Sequence, residues 1–599
     1  MTFLAFVLLL SLGICLVPIC FLRRPGYQRA QDYFVSSQYT PPDVVQNASI
    51  AYALRMATFG PFFAWGASGD LWPAIISSVF FGLGLYLIYF LRRPLLEFLD
   101  SALRHDRSIT VHEFIAQQHA NDPSVRLLAS SLTIFAIAGL VVGEALGVAA
   151  FLKPLLPGSG ASVDLLVFGT LLVMGLYAVV AGNSGAMQSA QLQLGILYLG
   201  LFGSTALLLY MSASEVRPMP PYGTFAILFV AACCAVQICY RRIKYIDTGP
   251  LREIDADGND RDSAAMRLFR RFEKFLNVCI CLFSVLVIVV AYIELSFAGF
   301  AAVARDSVAA LQAGTRLSAV GVLALMLLPL FHPIVDITNW QRIAALTKRH
   351  AHEDEPRRRA AALRGLFRIY AVESPLLWLF MCMFGAIAVM ATDTPAGADV
   401  VQAFMEQLAS QENLVAALVL SLLLVGVFAL ALSTMTAMFS ASLCTIRYDI
   451  VPTFWPASAA FEVQPLEEAT ARRRTIVAGA GLGLVIALGC YLADASLRIS
   501  FTSSTFVALL FAFYCAQLSF APLILGPIIC QTGGTFKTVS PRWALVVLGF
   551  GAASGLGAVT LYLLTGTEPW LWASVPACLG SGFLLYAIAR VWPRHAAPA

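Results

Sequence analysis

Charge is what this chain has least of: Asp, Glu, Lys and Arg make up 12% of its 599 residues, about half the share of an ordinary soluble domain. Hydrophobic residues make up 59% and fall in repeated runs of about 18 residues or more. That balance excludes a soluble globular protein and predicts an all-α polytopic membrane protein. Paired cysteines are missing too. None of the 13 Cys forms a C-x-x-C pair, and Cys233, Cys234, Cys279 and Cys281 sit inside apolar runs, as small core residues do and disulfides or metal ligands do not. There is no large soluble domain, since the longest inner connections run only over 241–271 and 346–364. The first contains LREIDADGNDRDS, which lacks the full ligand series of a calcium loop and reads as a solvated linker. No kinase or other output domain is attached, and no nucleophile motif accompanies His332 and Asp336, which weighs against a membrane enzyme.

What the chain does have is spans. Apolar runs fall near 3–22, 47–66, 72–91, 125–152, 163–181, 189–212, 222–240, 275–298, 317–345, 366–391, 414–446, 475–493, 501–529, 542–565 and 571–591. They predict about fifteen transmembrane helices of the length a bilayer requires. The run 3–22 has no positive n-region and no small-residue cleavage site, and Arg23 and Arg24 follow it. It reads as an uncleaved span with the N-terminus outside, so that the C-terminus is cytoplasmic. Basic residues then alternate as that orientation requires: Arg92, Arg93, Arg241, Arg242, Lys348, Arg349, Arg472, Arg473, Arg474 and Lys537 fall inside, against little beyond Lys153, Arg217, Arg305, Arg316 and Arg498 outside. The outer stretch 393–413 holds a short amphipathic segment from Val400 to Leu408, either a gate flap or an ordered loop.

Two spans carry proline defects. Gly60-Pro61 interrupts LRMATFGPFFAWGASGD, and His332-Pro333 interrupts LFHPIVDITNWQR. Proline removes a backbone N–H and disfavours helix in the preceding residue, so breaks are expected at these steps. In lipid, carbonyls freed at a break must line a protein cavity or meet a ligand, and two interrupted spans in separate parts of a chain point to a transporter with a site between them. His332 and Asp336, four residues apart, share one helix face and either act on a substrate or proton, or Asp336 caps the half-helix with Trp340 and Arg342 at the cytoplasmic interface. Leu430, Ser433 and Thr434, at i, i+3 and i+4, place a carbonyl and two hydroxyls on one face. Such hard oxygens suit a small cation, though hydroxyls in membrane helices also bond back to the preceding turn. Glu144, Glu294 and Glu373 lie in apolar runs and are candidates for coupling; Glu294 and Glu373 fall near span ends, which favours Glu144. Arg55 pairs with one of these, with a substrate carboxylate, or with an acidic loop residue at an inner gate.

WGASGDLW after the first defect, GLYAVVAGNSGAMQSAQLQ at 175–193, WQRIAA at 340–345 and LSTMTAMFSAS followed by Asp449-Ile450 together resemble the sodium:solute symporter family. The resemblance covers about 47–530 and implies a LeuT-type fold, a 5+5 inverted-repeat core with discontinuous first and sixth helices. Matched residue by residue, it implies a sodium site of the Met56, Phe59 and Leu430 carbonyls and the Ser433 and Thr434 hydroxyls. Thr58 stands where some members carry an aspartate that assists sodium, a departure that bears on ion choice. The implied division is an extra helix and basic loop at 1–46, the first repeat at 47–212, an inserted pair of helices with a charged loop at 213–316, the second repeat at 317–530, and extra helices at 531–599. The pair at 222–298 is foreign to the family plan as we read it.

The function expected is a secondary transporter in a plasma membrane, such as a bacterial inner membrane, that couples inward sodium flow to uptake of a small organic solute. Its partners are then the solute, Na+ and the bilayer, with no organic cofactor and no nucleic acid. The substrate site is placed near Thr58, Gly60, Phe63, Asp336 and Trp340, with Glu144, His332 and Asp336 as coupling candidates. Two alternatives stand beside it: proton coupling through His332, Asp336 or Glu144, and a transporter-like sensor signalling to an unidentified cytoplasmic or membrane partner.

Overall fold

In a computed structural model of the chain, the residues described are 34–35, 42–104, 108–155, 160–214, 235, 271, 274–289, 317–350, 356–392, 394, 400–411, 413–454, 504–529 and 538–591. All their regular structure is helical. The first half contains α1 (Pro42–Ala53), α2 (Met56–Ser68), α3 (Trp72–Phe90), α4 (Arg92–Arg104), α5 (Val111–Gln118), α6 (Pro123–Leu152) and α7 (Gly160–Ser214). After α8 (Lys274–Val289) come α9 (Ala319–Val335), α10 (Ile337–His350), α11 (Pro356–Thr392), α12 (Val400–Ser410) and α13 (Leu414–Thr445). The chain closes with α14 (Ser504–Leu518), α15 (Ala521–Ile529), α16 (Pro541–Thr565) and α17 (Glu568–Val591).

Eight helices among the described residues are long and apolar enough to cross a membrane, nine when the bent pair α9–α10 is taken as one span. The sequence predicts about fifteen; the runs at 3–22 and 475–493, nearly all of 222–240, and Glu294 lie outside the described residues. The run at 47–66 appears as α1 and α2, of 12 and 13 residues. The expected amphipathic segment at Val400–Leu408 is α12, whose Phe404 is buried against Phe63 and Phe384.

Local signals set most helix starts. Asp122 accepts from the Ser124 and Val125 N–H groups ahead of Pro123, Ser318 from Gly321, and Asn413 from Ala416. Within the motif at 175–193, α7 kinks at Gly182, whose φ of 60° is open to glycine at no steric cost. Packing then depends on close backbone approach. A Cβ on Gly66 of α2 would lie 1.6 Å from the Cys382 carbonyl oxygen of α11, and one on Gly385 of α11 would lie 2.1 Å from the Phe63 oxygen. Hydrogen at both positions lets α2 and α11 touch along their backbones, as small residues do between membrane helices. On the outside, Phe550, Leu564 and Leu584 are exposed apolar side chains that suit a lipid surrounding.

Below the core, α5 is tied to the end of α13 by a buried polar cluster. Asp449 lies in a π-helical turn, Ile446–Ile450, and its Oδ1 accepts from the hydroxyls of Thr110 at 2.8 Å and Ser108 at 3.2 Å. Its Oδ2 is 2.8 Å from His112 Nδ1, and His112 Nε2 is 2.6 Å from Thr133 Oγ1 on α6.

Candidate functional site

The first break lies at Leu54–Arg55, between α1 and α2, and the second at Asp336, between α9 and α10, where the axis turns by 44°. Both fall away from the proline steps that the sequence indicates. Pro61 is inside α2, and Pro329 and Pro333 are inside α9. A proline within a helix deletes one hydrogen bond, and here the chain remains helical through that loss. It leaves the helix where an ionisable side chain replaces backbone partners.

Each half-helix that starts at a break is capped by a carboxylate. Glu144 reaches from α6 to the start of α2, where Oε2 accepts from Met56 N–H at 2.9 Å and Oε1 from Ala57 N–H at 3.2 Å. Asp336 is itself the cap of α10: Oδ1 accepts from the Thr338 N–H at 3.0 Å and from its hydroxyl at 2.7 Å. Both meet the positive end of a helix dipole and its unpaired N–H groups, which makes their complete burial tolerable. Arg55 joins the two breaks. Its Nη2 donates to Asp336 Oδ2 at 2.8 Å, its Nε donates to the Tyr52 carbonyl at 3.3 Å, and its guanidinium lies 4.0 Å from the Tyr52 ring centre. Arg342 approaches the same ring at 4.3 Å and is buried, as is Trp340, so neither is at an interface with water.

A cavity of about 110 Å³ opens between the breaks. Thr58, His332 and Asp336 line it together with Arg55. Gly60, Phe63 and Trp340 stand outside its wall. Phe63 is enclosed by Phe59, Phe384 and Phe404, and Trp340 packs between Phe98 and Phe114 with its Nε1 donating to the Ile334 carbonyl at 2.8 Å. The wall is largely apolar, and its rings include Phe62, Trp65 and Phe81, joined by Trp378, Phe511 and Tyr514 from distant helices. Such contacts depend on helix packing and leave no mark in local sequence. His332 stands edge-on to Tyr514, with Nε2 3.9 Å from Asp336 Oδ2 and no hydrogen bond.

Beside the first break, α13 presents its hydroxyls. Thr434 Oγ1 donates to the Leu430 carbonyl at 3.1 Å and lies 3.5 Å from the Leu54 oxygen. Ser433 Oγ is buried with no hydrogen-bond partner. Met56 and Phe59 are buried in the first turn of α2, with the Phe59 N–H bonded to the Arg55 carbonyl at 2.8 Å. Leu54, which the sequence does not single out, lies between the two half-helices, and its carbonyl meets the Thr434 hydroxyl. Glu373, expected near water, is instead 1% exposed and accepts from the Tyr198 hydroxyl.

This architecture has a solved counterpart. The chain is similar to a Na+-coupled sialic acid symporter in a substrate-bound, outward-open state, at 14% identity over 98% of each chain with a TM-score of 0.58. The likeness shows the fold. A transporter of the nucleobase-cation-symport-1 family, closed with bromovinylhydantoin bound, is similar at 13% identity over 96% of each chain, with a TM-score of 0.41. No family model matches the sequence, and no curated protein matches it.

Proposed function

We propose that this protein is a secondary active transporter that couples inward sodium flow to the uptake of a small organic solute by alternating access. The observation that carries the reading is the meeting of two broken helices at one cavity, with Arg55 ion-paired to Asp336 across the gap and, on α13, a buried, unbonded Ser433 hydroxyl next to the Thr434 that meets the Leu54 carbonyl. Broken helices that face one another at mid-core are the arrangement in which transporters hold ions and solutes.

The donor set fits a sodium ion: all its members are neutral oxygens, and one is a buried hydroxyl without a partner. Leu430, Ser433 and Thr434 on α13, with Met56, Phe59 and the Leu54 carbonyl around the first break, would hold it. A bound cation supplies charge that ties α13 to the break between α1 and α2. Thr58, Arg55, His332 and Asp336 then face the solute, and Glu144 keeps the start of α2 in place. Sodium binding favours the state open to the outside, and loss of the ion to the cytoplasm loosens the inner side. A proton-coupled reading has one observation behind it, the buried and unbonded His332 Nε2 near Asp336.

Thermal unfolding of the purified protein in sodium, potassium and choline at matched ionic strength tests the assignment. Stabilisation by sodium alone, lost in Ser433→Ala/Thr434→Ala, is the expected result. Equal melting in all three ions, together with a flux that follows pH and ignores sodium, would instead select proton coupling.

A further inference from the structure

The cavity between the breaks has one polar end and an aromatic body, and the polar end is incompletely paired. Arg55 Nη1 is buried without a hydrogen bond although Nη2 and Nε of the same side chain are satisfied. His332 Nε2, in the same wall, is also unbonded. A buried guanidinium N–H is costly unless a partner arrives, and His332 Nε2 joins it as a donor in the tautomer that carries its proton there. We propose that the cavity takes a small monocarboxylate with a single-ring or similarly compact apolar body, its carboxylate received by Arg55 Nη1 and the His332 Nε2–H.

Three observations converge on that class. The first is size: about 110 Å³ is below the ~150 Å³ of an apolar cavity that takes up benzene, which limits the solute to a compact one and excludes anything of two rings. The second is the wall, where Phe62, Trp65, Phe81, Trp378, Phe511 and Tyr514 present ring surface that suits a ring or branched chain. The third is charge. Around the breaks the buried ions are Arg55 and Arg342 against Asp336 and Glu144, while the buried Glu373 and Asp449 stand outside the cavity wall, bonded to Tyr198 and to Ser108, Thr110 and His112. A cation bound beside the first break leaves one positive charge in excess, and a monoanion cancels it. An ammonium group on the solute would find Asp336 already engaged by Arg55 and Thr338. The charge step rests on the sodium reading above; the size, the wall and the unpaired donors do not.

The test is calorimetric titration of the purified full chain at neutral pH with benzoate, benzamide, phenylalanine and glucose, each in sodium and in choline. Benzoate is expected to bind at least about tenfold more tightly than benzamide, the margin of one charge-assisted hydrogen bond. Arg55→Gln alone leaves a buried carboxylate unpaired, so the informative variant is Arg55→Gln/Asp336→Asn. It is neutral at both positions, and the amide oxygen that replaces the Asp336 carboxylate can still accept from the Thr338 N–H. This double variant is expected to keep its melting profile and to lose the preference for benzoate. Equal binding of benzamide, binding of phenylalanine or glucose in place of benzoate, no benzoate binding at millimolar concentration, or a preference that survives in the double variant would each overturn the proposal. Failure of the sodium reading looks different. Benzoate would then bind equally in sodium and choline, with the solute class intact.

Discussion

The protein buries two polar clusters, one between the helix breaks and one beneath them at the end of α13, and only the second is complete. Asp449 engages Ser108, Thr110 and His112, and both nitrogens of His112 have partners. Between the breaks, Arg55 Nη1 and His332 Nε2 are buried and unbonded, and on α13 so is Ser433 Oγ, next to the Thr434 that meets the Leu54 carbonyl. A closed network ties elements together, whereas unsatisfied groups around a cavity are places for something to bind. The lower cluster thus reads as a tie between α5, α6 and α13, and the upper one as a site.

The largest expected effect attacks the ion pair. Arg55→Ala leaves the Asp336 carboxylate buried without its partner and should cost about 3–5 kcal/mol of stability. Arg55→Gln/Asp336→Asn should recover most of it, within about 1 kcal/mol, because no charge is then uncompensated. Denaturant unfolding of the three proteins side by side checks this. If the double variant is as unstable as the single one, the pair holds the two breaks together by more than charge balance.

Breaking the lower cluster should cost nearly as much, with a different signature. Asp449→Ala removes the acceptor for Ser108, Thr110 and His112 and should destabilise by about 3 kcal/mol. Since that cluster is complete without a ligand, the loss should be identical in sodium and choline. A loss confined to sodium would place Asp449 in the cation's field and remove the distinction between the two regions.

Ser433→Ala sharpens the contrast at a smaller scale. Its hydroxyl is buried with no partner, so in choline the substitution should be neutral or slightly stabilising. In sodium at a hundredfold excess over the dissociation constant, the wild type should gain about 2.7 kcal/mol and the variant much less. A variant destabilised in choline as much as in sodium would show that the hydroxyl has a structural partner after all.

The spans seen among the described residues, with boundaries near Trp72–Phe90 and Pro541–Thr565, and the segment that forms α12 are legible in the sequence because apolar length and helix caps are local signals. The existence of two broken helices is legible too, but their positions are not. Proline marks a missing N–H, and at Pro61 and Pro333 the helix continues. Arg55 and Asp336 mark the breaks instead, as ionisable groups inside apolar runs whose partner is 281 residues away. Glu144 can be singled out as a buried charge, but its role as the cap of α2 depends on how α6 packs. The aromatic wall is least legible, since Phe81, Trp378 and Tyr514 come together only through the crossing of three helices.

His119 limits how far an unbonded atom can be read as a site, and it gives the smallest effect. It lies outside the membrane spans, just after α5, 1% exposed, with Nδ1 2.7 Å from the Ile115 carbonyl and Nε2 unbonded. Burial pushes its pKa down, and the bond to Ile115 opposes this only in part. The ring is therefore neutral when folded, with its proton on Nδ1 and a bare lone pair at Nε2, which costs less than a buried donor and calls for no ligand. The unfolded chain protonates near pH ~6.5. Stability from this group is therefore complete above that pH and falls as the pH drops below it, towards the lower folded-state pKa. His119→Gln, which cannot titrate, should flatten that decline in sodium-free buffer while leaving sodium stabilisation untouched. A decline of equal steepness in the variant would show that the titrating group lies elsewhere in the chain.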